Sequence, residues 1–126
     1  MLNIDELVRG LINTCGSGDF LDRVHSEVQN TIIDAAELGI NNDELIKVLG
    51  IYALAQSLRL IKINVSEVES NDSLSGEYVR VIQCLLKSLR GLSVECSISN
   101  ELFKGAYQYA LSLLNEVKGH CIQANL

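Results

Sequence analysis

Ile4, Leu7, Val8, Leu11 and Ile12 recur at the i, i+3, i+4, i+7, i+8 spacing of one helical face, which predicts a first helix over about 4 to 14. Asn3 and Glu6 have the spacing of a capping box at its start. Gly16-Ser17-Gly18 ends it, and Asp19 stands where it can cap a second helix, along which Phe20, Val24, Val28, Thr31, Ala35 and Leu38 line one side. Gly39 followed by Ile40 predicts a left-handed stop. Asn41, Glu44 and the pair Ile40 and Leu45 then supply cap, box partner and hydrophobic staple for a third helix.

That third helix, about 42 to 62, is apolar around nearly its whole circumference. Leu45, Leu49, Tyr52, Ala53 and Leu60 form one stripe, and Ile51, Leu54, Leu58 and Ile61 form another on the far side. A helix of this kind belongs at the centre of a fold. Residues 66–75 are polar and acidic and read as the longest exposed connection. Tyr78, Val79, Ile82, Leu85, Leu86 and Leu89 share one face of a fourth helix, about 74 to 90, with a glycine stop at Gly91-Leu92. Val94, Cys96 and Ile98 alternate like a strand, but a lone strand has no ladder partner, so the segment reads as an ordered connection. A fifth helix, about 99 to 118, gathers Leu102, Phe103, Ala106, Ala110, Leu113, Leu114 and Val117 and stops at Gly119. The expected fold is all-α: one domain over residues 1–126, a compact antiparallel or orthogonal bundle of five main helices with the third at its centre.

Composition adds class and charge. Leu, Ile and Val supply 42 of 126 residues, and proline is absent, so the chain collapses into a globule rather than remaining disordered. Sixteen acids against ten bases give a net charge of −6. The excess lies early, since residues 1–44 hold nine acids and two bases. Nucleic acid and anionic membranes are thereby disfavoured as partners, and a basic partner fits better. Arg80, Gln83, Lys87 and Arg90 share the outer face of the fourth helix, but no aromatic accompanies them for base stacking.

Asp5 and Glu6 stand where a secretory leader would need bases and then apolar residues, and no apolar run reaches the ~20 residues that span a bilayer. A cytoplasmic location is expected. Cys15, Cys84, Cys96 and Cys121, with no CxxC among them, then read as free thiols, Cys84 toward the polar flank of its helix.

Specific chemistry finds little support in the sequence. Cys15 in its glycine-rich turn, with His25 as base, has the elements of a nucleophile, but the same glycines serve any sharp interhelical turn, and Asp19 already occupies the positive helix end. Zinc would need His120, Cys121, Cys84 and Cys96 to converge from distant segments. A calcium loop over 71–82 fails at Ile82, where a bidentate glutamate is required. No P-loop, GxGxxG, HExxH or GxSxG occurs, so no motif calls for a cofactor, a metal or a catalytic set.

The strongest surface feature is acidic. Asp19, Asp22, Glu27, Asp34 and Glu37 project from about a third of the second helix, with Arg23 the lone base among them. Asp43 and Glu44 follow at the start of the third, where carboxylates favour the helix dipole. These seven residues are the expected partner-binding set. The expected function is a noncatalytic acidic protein-binding protein: an inhibitor, antitoxin or immunity-type protein that occludes a basic partner such as a nuclease toxin. The first alternative is a helical adaptor or chaperone-like homodimer that associates through Ile51, Leu54, Leu58 and Ile61. The second is a small enzyme with a scattered site.

Overall fold

Asn3 caps α1 (Ile4–Thr14), its side-chain oxygen accepting from the Glu6 N–H at 3.1 Å. The computed structural model describes residues 3–38, 43–62, 76–92 and 95–122. α1 ends at Cys15, whose φ of 51° is left-handed and whose N–H reaches the Leu11 carbonyl at 2.8 Å. Gly16 follows at φ 77°, and a Cβ on it would lie 2.6 Å from the Ala55 carbonyl oxygen, so this turn needs glycine twice over. α2 (Gly18–Leu38) is capped by Ser17 rather than Asp19: Ser17 Oγ accepts from the Phe20 N–H at 3.4 Å. Asp19 sits two residues further on, within the first turn, where its charge still complements the helix dipole.

α3 (Asp43–Lys62) is the axis of the bundle and touches α1, α2, α4 and α5, most extensively α5. Both of its apolar stripes are used inside the chain: Ile51 and Leu54 are 0% exposed, Leu58 is 1% exposed, and Ile61 is half-buried. Ser57, equally buried, gives its hydroxyl proton to the Ala53 carbonyl at 2.8 Å, which satisfies the one polar residue at the centre of this helix's buried run. The expected Gly39-Ile40 stop, the Asn41 cap and the 66–75 connection fall outside the described residues.

α4 (Gly76–Leu89) buries Val79, Ile82, Leu85, Leu86 and Leu89 as its periodicity predicts, together with Val81. It closes in a Schellman motif: Leu92 N–H bonds the Lys87 carbonyl, Gly91 N–H bonds the Ser88 carbonyl, and Gly91 has φ 77°. The described part of the 95–100 connection has no regular structure, and Ile98 is buried in the core. Asn100 caps α5 (Glu101–Val117) by accepting from the N–H groups of Leu102 at 2.9 Å and Phe103 at 3.2 Å.

Two expectations fail at the cysteines. α5 does not stop at Gly119 but runs on through a π-helical turn, Lys118–Ile122, which carries Cys121 into the core at 2% exposure. Nor are the thiols free. Cys15 is bonded to Cys121 and Cys84 to Cys96, with Cα separations of 5.5 and 6.1 Å that suit a disulfide. Cys84 is buried, because at this point the connection after α4 folds back onto the helix.

Candidate functional site

The second helix presents its acids as its sequence predicts. Phe20, Val24, Val28 and Thr31 are buried, which turns the opposite arc outward and leaves Asp19, Asp22, Asp34 and Glu37 exposed, with Glu27 half-buried. Arg23, the only base on this arc, does not neutralise them. Its guanidinium reaches across to α1 and pairs with Glu6 at 2.7 Å, both side chains remaining about half exposed. Among the described residues no ion pair involves Asp19, Asp22, Glu27, Asp34 or Glu37.

The other two predicted acids behave differently. Asp43 pairs along its own helix with Lys47 at 3.2 Å. It also acts with Lys47 and Asp5 on the phenol of Tyr109, where burial raises the pKa above its ordinary value and Lys47 pulls it back. Asp43 therefore belongs to a mixed-charge group where α1, α3 and α5 meet. Glu44 is exposed in the first turn of α3.

An aromatic row crosses the bundle beside the acidic arc. His25 of α2, Tyr52 of α3, Tyr78 of α4 and Phe103 of α5 follow one another at centroid distances of 5.6, 6.3 and 5.9 Å. His25 Nδ1 and the Tyr52 hydroxyl share a hydrogen bond of 3.1 Å, and the Tyr78 hydroxyl donates to Gln56 Oε1. Burial, reinforced by Asp22, raises the Tyr52 pKa. This row ties four helices together. The sequence signal for it was present only in part: aromatics were scarce enough to notice, but their contacts join residues far apart in the chain.

The proposed nucleophile is not assembled. Cys15 Sγ is bonded to Cys121, and His25 faces Tyr52. The cysteines considered for zinc are all in disulfides, and among the described residues no group of three or more His, Cys, Asp or Glu side chains has a metal-binding arrangement. The stripe proposed as an adaptor dimer interface is the interior of the bundle, since Ile51, Leu54 and Leu58 are fully covered by the chain itself. Arg80, Gln83 and Lys87 are exposed on α4, and Arg90 is exposed just past its end. No helix among the described residues is long and apolar enough to cross a membrane.

Sequence reasoning missed an apolar patch. Ile32 is 49% exposed, Ile33 is 52% exposed, and Ala36 is exposed beside them. A helical wheel was sufficient to find it, because these positions fall outside the arc of Val24, Val28 and Thr31. No family model matches the chain, and no curated protein or solved structure matches it either.

Proposed function

We propose that the chain is a noncatalytic protein-binding protein, an inhibitor or immunity-type protein that occludes a basic partner such as a nuclease toxin. The observation that supports this reading is the unneutralised acidic arc of α2, whose only base is turned toward Glu6 of α1. Carboxylates held at fixed spacing on a rigid helix attract a cationic cleft from a distance and occupy positions that phosphates would otherwise take. No bond need be made or broken for such a protein to act.

The sulfur chemistry bears on where it acts. Disulfides persist in oxidising compartments, and the four free thiols that followed from a cytoplasmic location are instead paired. We place the protein in an oxidising compartment, where it meets its partner outside the reducing cytoplasm.

Replacing Asp19, Asp22, Asp34 and Glu37 by Asn or Gln tests the role. Partner captured from the native cell by wild type should associate more slowly with the variant, and the salt dependence of association should flatten. Stability should move by less than ~1 kcal/mol, since no core contact is removed. Equal affinity of wild type and variant for the same captured proteins at low salt would reduce the arc to a solubility device.

A further inference from the structure

Beyond Gln29, solvent reaches an apolar strip on α2. Going round the helix from Ile32, the wheel passes Ala36 and Ile33 and then reaches Glu37 and Asp34, so one long edge of the strip is lined by carboxylates. The three apolar residues lie within about 100° of arc. Single exposed aliphatic residues are ordinary, but adjacent isoleucines about half exposed on one helix form a contiguous surface.

We propose that this strip seats a basic amphipathic helix of the partner, its apolar residues against Ile32, Ile33 and Ala36 and its Lys or Arg side chains against Asp34 and Glu37. The inference rests on the acidic-arc reading and adds the shape and chemistry of what the arc receives. Charge selects the occupant. A second copy of the chain would bring the same carboxylates together and carries the same net charge of −6. The chain's own residues 63–75 contain Glu67, Glu69 and Asp72 and no base, so they repel this rim as well. A cationic helix satisfies both parts of the surface: its charges bring it to the rim, and burial of its apolar face holds it there.

The test uses the full oxidised chain, labelled with 15N, and two peptides of identical composition, each of about 18 residues or five helical turns. One places Leu on a single face with Lys and Arg beside it, and the other distributes the same residues evenly around the helix. The amphipathic peptide should bind saturably, shift the amide resonances of residues 29–37, and bind about tenfold more tightly than its isomer. In Ile32→Ser/Ile33→Ser, which should melt with wild type because both side chains are exposed, the two peptides should bind alike. If the isomer binds wild type as tightly as the amphipathic peptide, or the double variant keeps the preference, the apolar seat is wrong and the acidic-arc reading stands. If neither peptide binds at low salt, both readings fall. Concentration-dependent shifts of the same resonances without peptide would give the strip to a second copy and overturn the proposal.

Discussion

Gly50 of α3 lies so close to Ala106 of α5 that a Cβ at position 50 would stand 2.7 Å from the Ala106 carbonyl oxygen and 3.1 Å from the Tyr109 ring. Backbone cannot yield there as a side-chain tip can. Gly50→Ala should therefore destabilise the fold by ~1–3 kcal/mol, the usual cost of overpacking. Gly105→Ala should cost less, because its Cβ would meet only the side chain of Ile46, at 3.2 Å. Urea denaturation of the two variants decides this, and equal midpoints would mean that α3 and α5 are not in backbone contact at Gly50.

Truncation of the axis should be more damaging than truncation of the surface. Leu54→Ala and Leu85→Ala, both at 0% exposure, should each cost ~2–5 kcal/mol, and Leu111→Ala, 37% exposed, less than ~1 kcal/mol. Thermal or urea unfolding with far-UV circular dichroism measures all three.

What the sequence made legible was local. The cap at Asn3, the stop at Gly91-Leu92 and the central place of α3 each depend on residues a few positions apart, so periodicity and capping chemistry suffice to find them. Ser17 displaced Asp19 as the cap of α2 because either of two nearby polar side chains could serve, and only the backbone path chooses between them. Gly119 misled for a tertiary reason: unlike Gly91 it does not adopt a left-handed φ, so it makes no stop, and the turn continues until Cys121 reaches Cys15. Four cysteines allow three pairings, and the one that forms joins Cys15 to a residue 106 positions away. The acidic arc was legible as a pattern. That Arg23 turns away from it toward Glu6 was not, since this depends on how α1 and α2 are placed.

Both disulfides should contribute to stability, and unequally. Unfolded without reductant, the protein should show no reactive thiol, and after reduction all four. Cys15→Ser/Cys121→Ser should lose ~4–5 kcal/mol and Cys84→Ser/Cys96→Ser ~3 kcal/mol, because a longer closed loop restricts the unfolded chain more. Melting curves with and without reductant test the ordering, and four titratable thiols before reduction would remove the disulfides and the oxidising compartment together.

Alkaline pH should weaken the fold through Tyr78. Burial, and then the neighbouring Tyr52, push its phenol above the ordinary value of 10.0, so the folded chain favours the neutral form. The stabilisation this represents is fully present below the unfolded pKa of about 10 and is lost as the pH rises above it, because the unfolded chain gives up the proton first. Urea midpoints should fall above pH ~10 in wild type and fall less steeply in Tyr78→Phe. At neutral pH that variant should lose about 1 kcal/mol with its hydrogen bond to Gln56. A wild-type midpoint that is flat across this range would place the Tyr78 hydroxyl in water.

The bond between Cys15 and Cys121 also determines how the molecule carries load. A pull applied on either side of that pair passes from one sulfur to the other without tensioning the helices between them. α1 can be peeled away, but α2 through α5 form a closed covalent ring that cannot be drawn out to its contour length. A single peptide-bond cut between residues 15 and 121 opens that ring and still leaves both pieces tethered. Unfoldases that thread a chain from one end would meet a two-stranded crosslink, at Cys15 from the amino-terminal side or at Cys121 from the carboxy-terminal side, and stretching in an optical trap should lengthen abruptly only after reductant is added.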